Sequence, residues 1–74
     1  MLHLWRCRVP YSGSRLQEIR EDRGYSREYL ADRSGRSYGS IYQYEVGRMV
    51  PPLPVAERLA ATLGVSVTDL IEAA

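Results

Sequence analysis

Residues 27–46 read REYLADRSGRSYGSIYQYEV, and this stretch decides the fold of the chain. It contains two short segments of helical character, each preceded by a serine and followed by a glycine. Serine is preferred at the start of a helix, and glycine accepts the left-handed conformation at its end. The stretch therefore predicts one helix over Arg27–Ser34 that ends at Gly35 and another over Tyr38–Val46 that ends at Gly47.

Three residues of this stretch have the sizes that a close helix crossing requires. Ala31 allows the two helices to approach, Gly35 accepts the positive φ of a tight turn, and Ile41 fills the angle between the helices. Leu30 and Tyr44 continue the same buried face. The pattern is typical of the helix-turn-helix, a DNA-binding motif whose second helix enters the major groove.

The segment upstream of this motif predicts another helix. Ser14 and Gln17 form a capping box, in which the hydroxyl and the amide satisfy backbone groups at the helix start. Leu16 and Ile19 provide the apolar stripe of this helix, and Gly24 suits its left-handed end.

The segment downstream of the motif predicts two more helices. The prolines within 51–54 enforce an extended link and a new start, because proline is tolerated only in the first turn of a helix. The buried stripe of the next helix has the spacing i, i+3, i+4 and i+7 and consists of Ala56, Leu59, Ala60 and Leu63. Ser66 and Asp69 then cap a fifth helix that leads into Leu70 and Ile71. We therefore expect an all-α, compact five-helix domain.

Residues 1–13 form an N-terminal extension with a different pattern, whereas residues 14–74 form the helical domain. The alternation of side chains up to Val9 favours a short strand over a helix. Three interpretations are open: a strand that pairs across a dimer, an arm that carries arginines into a DNA groove, or a disordered lead. Its exposed apolar side chains favour an ordered segment that contacts a partner. The candidate arm or dimer contacts are Leu4, Trp5, Arg6 and Arg8.

The charge of the chain is distributed unevenly. Ten arginines and nine acidic residues give a net charge of only +1, which is small for a protein that binds nucleic acid. Residues 1–48 contain nine arginines and six acidic residues, however, whereas residues 49–74 contain one arginine and three acidic residues. No apolar run approaches the roughly 20 residues of a membrane span. With arginine as the only strongly basic residue type, these features predict a cytoplasmic, nucleoid-associated protein of bacterial or phage origin.

Much of the chain resembles the XRE-like, phage Cro/repressor type of helix-turn-helix domain. The matching segments are LQEIREDRGYSREYLA (16–31), SGRSYGSIYQYEVGRMVP (34–51) and AERLAATLGVSVTDLI (56–71). The resemblance implies a five-helix domain that binds DNA through its third helix, usually as a two-fold pair. It also implies an ion pair between Arg20 and Glu45 beneath the recognition helix, which would explain a carboxylate on a semi-buried face.

The chain departs from the pattern of this family at four positions. Ser34 and Arg36 stand where the family usually has aliphatic side chains, which predicts a less well packed turn. Arg27 stands where the family often has glutamine. Val46 stands where asparagine is common, so one plausible polar contact to phosphate is absent.

The third helix is expected to present its outward side chains to the major groove. Gln43 is the strongest candidate for base readout, because its amide matches adenine; the alternative is an ordinary solvated glutamine. Gly39 either permits close approach to DNA or is merely tolerated, and Ser37 either contacts phosphate or caps the helix. Arg27 and Arg48 are expected to bind phosphate, although a solvated charge explains each nearly as well. The predicted DNA-binding residues are Arg27, Ser37, Tyr38, Gly39, Ser40, Tyr42, Gln43 and Arg48.

The sequence indicates no catalytic residue, cofactor, metal or small-molecule site. His3 and Cys7 are the only imidazole and thiol, and two ligands do not complete a zinc site. The leading hypothesis is a transcriptional regulator, of repressor or Cro-like type, that binds double-stranded DNA. It would bind an inverted-repeat operator as a homodimer, with half-sites about 34 Å apart and no membrane partner. The alternative is a protein-interaction module of antitoxin or anti-repressor type, which the near-neutral charge favours.

Overall fold

The computed structural model of this chain describes residues 11–71. Within that range every regular element is helical, which confirms the all-α prediction. The elements are α1 Gly13–Asp22, α2 Arg27–Ser34, α3 Tyr38–Val46, α4 Leu53–Leu63 and a 3-10 turn, Val67–Leu70. The predictions that lie outside the described residues concern Leu4, Trp5, Arg6 and Arg8, together with His3 and Cys7.

The first helix begins earlier than predicted. Its N-cap is Ser12, whose Oγ accepts a hydrogen bond from the backbone N–H of Arg15 at 3.2 Å, so the predicted cap at Ser14 is wrong. The physical reason is the contact of Gly13 with α3, where a Cβ would collide with the carbonyl oxygens of Tyr44 and Glu45. This close approach of two backbones places Gly13 inside the helix.

The two central helices have the predicted bounds. The Oγ of Ser26 accepts from the N–H of Tyr29 at 3.0 Å, and a serine caps α3 in the same way. Gly35 and Gly47 follow α2 and α3 with φ of +73° and +83°, which is the left-handed conformation that glycine adopts without strain. The local signals of the sequence therefore predicted this part of the fold correctly.

The predicted fifth helix is only a single 3-10 turn. The carboxylate of Asp69 accepts from the N–H of Ser66 at 3.1 Å, as the predicted cap requires. Ile71, however, has extended dihedrals (φ −106°, ψ 135°) and forms an isolated antiparallel bridge with Tyr11. The adjacent N–H of Ser12 donates to the carbonyl of Leu70 at 2.9 Å. This backbone pairing with the N-terminal side of α1 replaces a further helical turn.

The core lies between α4 and the three preceding helices. The predicted stripe of α4 is fully confirmed, because all four of its residues are buried. Ile41 and Tyr44 of α3 are completely buried beside Leu30 of α2, as predicted. The buried apolar residues are Leu16, Leu30, Ala31, Ile41, Tyr44, Ala56, Leu59, Ala60, Leu63 and Leu70. The core thus fixes which side of α3 remains outside.

None of the helices within residues 11–71 has the length and apolar character needed to cross a membrane.

Candidate nucleic-acid interface

The outer side of α3 carries most of the predicted DNA-binding residues. Tyr38 and Tyr42 are 46% and 42% exposed, and Gly39 is exposed between them. Gln43 is half-buried, and Arg48, just beyond the helix, is exposed. The remaining predicted residues of this surface are the exposed Ser37 and the half-buried Ser40. A helix that packs one side in the core and carries polar and aromatic residues on the other can lie in a groove of DNA.

Ser37 has a structural role at the start of α3. Its Oγ accepts from the backbone N–H of Ser40 at 3.1 Å, and its hydroxyl donates to the Oγ of Ser40 at 3.0 Å. Of the two interpretations of Ser37, the helix cap is therefore present in the structure. The Ser40 hydroxyl retains its own proton to donate.

A buried carboxylate lies beneath α3 and is bound by two arginines. The side chain of Glu45 is 0% exposed, and Arg20 donates to it from Nε to Oε2 at 2.6 Å and from Nη2 to Oε1 at 3.3 Å. The Nη1 of Arg20 also donates to the carbonyl of Tyr25 at 2.7 Å. The ion pair implied by the family resemblance is thus present. A charge buried this deeply is tolerated because it is paired and hydrogen-bonded.

The second arginine on this carboxylate is Arg27, and sequence reasoning did not find that contact. Its Nε donates to Oε1 of Glu45 at 2.8 Å. Its Cζ lies 5.4 Å from the centroid of the Tyr42 ring, and its Nη1 lies 3.5 Å from the hydroxyl of Tyr38. The hydrogen bond to Glu45, and then that to Tyr38, raises the pKa of Arg27 further above its ordinary value. The only sequence signal was an arginine where the family often has glutamine.

Tyr11 is a further residue of this region that the sequence did not indicate. Its hydroxyl donates to the carbonyl of Tyr44 at 3.1 Å, near the end of α3. Burial raises the pKa of Tyr11, and the negative charge of Glu45 raises it further. The phenol is therefore held neutral against α3.

The polar residue Ser34 fits the turn of the motif better than expected. Its side chain is buried, and its Oγ donates to the carbonyl of Ala31 at 3.3 Å. This bond within α2 satisfies the hydroxyl, so a serine can occupy a position that is usually aliphatic. Arg36, by contrast, is exposed, so it does not take the place of an aliphatic side chain in the core.

A row of two tyrosines and one arginine begins just before α2 and continues along this helix. The rings of Tyr25 and Tyr29 have centroids 4.6 Å apart, and the Cζ of Arg33 lies 5.1 Å from the ring of Tyr29. Tyr25 is only partly buried, where it packs against the core.

Among residues 11–71 no group of three or more His, Cys, Asp or Glu side chains could hold a metal ion.

Comparison with known proteins supports this description of the motif. The helix-turn-helix family model matches residues 16–70. A curated relative is the SPbeta prophage-derived uncharacterized HTH-type transcriptional regulator YonR of Bacillus subtilis, which is 35% identical over 60 residues. That match includes 81% of this chain and 56% of YonR, so the chain spans about half the length of this relative.

Solved structures show the same fold. The clp gene regulator ClgR of Corynebacterium glutamicum has a TM-score of 0.76 and 31% identity, with 78% of this chain and 62% of that chain covered. SinR, the master regulator of biofilm formation of Bacillus subtilis, has been solved in complex with DNA. Its TM-score is 0.73 at 30% identity, with 78% of this chain and 94% of that chain covered. By the extent of the family match and the agreement of its folded elements, this chain belongs to the helix-turn-helix family, in its XRE-like branch.

Proposed function

We propose that this protein is a sequence-specific DNA-binding transcriptional regulator of repressor or Cro-like type. The observation that carries the proposal is the outer side of α3, where polar and aromatic side chains lie exposed while the inner side is fixed in the core. The similar protein SinR was solved in complex with DNA, and YonR is named a transcriptional regulator. Both findings support this function for the chain.

In this proposal the residues of α3 have different roles. Gln43 reads a base through its amide, since a glutamine can bond an adenine at two positions in the major groove. Tyr38 and Tyr42 provide apolar and hydroxyl contacts to thymine methyl groups and phosphates. Arg48 lies exposed after the end of α3 and binds phosphate.

The proposed assembly is a homodimer on an inverted-repeat operator. A single recognition helix reads only a few base pairs, so a two-fold pair doubles the site and mirrors the symmetry of the operator. The two half-sites would lie about 34 Å apart, which is one turn of the DNA helix. We place the protein in the cytoplasm of a bacterium, and we propose no enzymatic activity and no cofactor.

The test begins with selection of bound sites from a random DNA pool. The binding free energies of the wild-type protein and of Gln43→Ala are then measured on the selected site and on scrambled DNA. We expect a loss of about 1–3 kcal/mol on the selected site and little change on scrambled DNA. The control is Gln17→Ala, since Gln17 lies on α1 with its amide bonded to Glu21. An equal loss on both DNAs would remove the reading role of Gln43.

A second candidate function is a protein-interaction module with the same fold. SinR has also been solved in a complex with the SinI protein, with a TM-score of 0.73 and 30% identity to this chain. A module of this kind would show no DNA binding even at low salt. The proposed regulator would bind DNA with an affinity that falls steeply as salt is added.

A further inference from the structure

Arg27 contacts α3 at three places along its length. The guanidinium reaches Glu45 near the end of the helix, the ring of Tyr42 in its middle and the hydroxyl of Tyr38 at its start. Positions 38, 42 and 45 have the spacing i, i+4 and i+7, so they lie on one face of α3. A single side chain of α2 therefore spans two turns of the recognition helix.

Glu45 already has a buried arginine partner without Arg27. Arg20 alone donates two hydrogen bonds to the carboxylate and is itself almost completely buried. A buried carboxylate with one such partner is already neutralised and hydrogen-bonded. Arg27 adds a second positive charge beside Glu45, and its contacts with Tyr42 and Tyr38 point to a role other than satisfying the core.

The guanidinium of Arg27 is also less available for binding a DNA phosphate than that of a freely exposed arginine would be. Its side chain is only 26% exposed, its Nε is bound to Glu45, and its Cζ lies over the ring of Tyr42. Arg48 is the contrasting case, because it is exposed at the end of α3. A phosphate that drew Arg27 outward would have to break the contacts with both Glu45 and Tyr42.

We propose, on the basis of the DNA-binding function above, that Arg27 is a positioning residue for the reading surface. It holds Tyr42, and Tyr38 beside it, in the orientation in which these side chains face the DNA, and it is not an independent phosphate contact. Contact with a cation through the ring face restricts the orientation of a tyrosine that is otherwise 42% exposed.

The decisive variant is Arg27→Lys, which keeps the charge and removes the planar guanidinium. Its matched controls are Arg27→Gln and Arg48→Gln, which each remove one charge. Affinities are measured on the selected site and on scrambled DNA over a series of salt concentrations. The ring-proton chemical shifts of Tyr38 and Tyr42 are measured in the free protein, and circular dichroism confirms the helical fold of each variant.

We expect Arg27→Lys to lower the preference for the selected site by about tenfold, a loss of the size of one base contact. The salt slope should stay unchanged in Arg27→Lys, whereas Arg48→Gln should reduce it by about one. The shifts of Tyr42 should move in Arg27→Lys. In a Tyr38→Phe/Tyr42→Leu background, Arg27→Lys should no longer reduce the preference, because both contacts through which it positions the tyrosines are gone.

Two results on DNA would overturn the proposal. The first is wild-type preference in Arg27→Lys together with a salt slope reduced by about one in Arg27→Gln, which would make Arg27 a phosphate contact. The second is an undiminished effect of Arg27→Lys in the Tyr38→Phe/Tyr42→Leu background, which would make Arg27 a base reader. If the wild-type protein bound no DNA, the proposed function would fail, and unchanged Tyr42 shifts in Arg27→Lys would still separately refute the positioning role.

Discussion

Tyr44 carries a hydroxyl that is buried and has no hydrogen-bond partner among the described residues. Burial of an unsatisfied polar group costs free energy, so Tyr44→Phe should raise the free energy of unfolding by about 1 kcal/mol. The matched variant is Tyr11→Phe, which removes a hydroxyl that donates to the Tyr44 carbonyl and should lower stability by about 1 kcal/mol. Urea unfolding of both variants checks the signs. Destabilisation by Tyr44→Phe would show that its hydroxyl is bonded.

The carboxylate of Glu45 forms ion pairs with two arginine side chains. Glu45→Gln leaves both guanidinium groups facing a neutral amide, and Arg20 is buried, so we expect a loss of about 3–5 kcal/mol in the free energy of unfolding. Chemical denaturation measures the loss. Arg27→Lys should be much milder, because Arg20 remains on the carboxylate. Comparable losses in the two variants would contradict this ranking of the two arginines.

Tyr11 makes the free energy of unfolding depend on pH in the alkaline range. Its pKa is raised by burial in the folded state, so the unfolded chain loses this proton first, at a pH of about 10. The contribution of protonated Tyr11 to the free energy of unfolding is fully present below that pH. It is lost as the pH rises toward the higher folded-state pKa. We expect the free energy of unfolding to fall above a pH of about 10, less steeply in Tyr11→Phe. Identical slopes in the two proteins would refute the assignment.

At the scale of elements, the crossing of α1 and α3 depends on one glycine. A Cβ at Gly13 would meet the backbone carbonyls of Tyr44 and Glu45, which cannot move without shifting α3. Gly13→Ala should therefore destabilise the protein by about 1–3 kcal/mol. Gly39→Ala is the control, since its Cβ would meet only the Oγ of Ser37 at 3.9 Å, and it should gain up to about 1 kcal/mol of helix stability. Thermal unfolding that ranks the two variants in the opposite order would contradict the close approach.

Only some of the helix boundaries could be predicted from residues that are neighbours in the sequence. The bounds of α2 and α3 were predictable because a serine cap and a left-handed glycine lie next to each helix in sequence. The start of α1 and the end of the 3-10 turn were not, because the contact of Gly13 with α3 and the bridge between Tyr11 and Ile71 join distant parts of the chain.

The same distinction applies to the candidate site. Which face of α3 points outward followed from helix periodicity and the positions of Ile41 and Tyr44. The second arginine on Glu45 did not follow, since Arg27 and Glu45 are 18 residues apart and meet only when α2 packs against α3. An exposed-charge interpretation of Arg27 was natural without that tertiary contact.

At the scale of the whole molecule, the small net charge of +1 sets the expected strength of DNA binding. The basic surplus lies in the part of the chain that contains the motif, and the acidic surplus lies in the last part. We therefore expect weak binding to arbitrary DNA, because that binding depends mainly on phosphate neutralisation. Specificity would have to come from the side chains of α3 and from a second copy of the chain.

The most direct test of the central claim is a titration of the wild-type protein with the selected site and with scrambled DNA at several salt concentrations. We expect binding to the selected site at least about 10³-fold tighter than to scrambled DNA. We also expect the logarithm of each affinity to fall linearly with the logarithm of the salt concentration. Equal affinity for the two DNAs, or no binding at the lowest salt, would contradict recognition of DNA by α3.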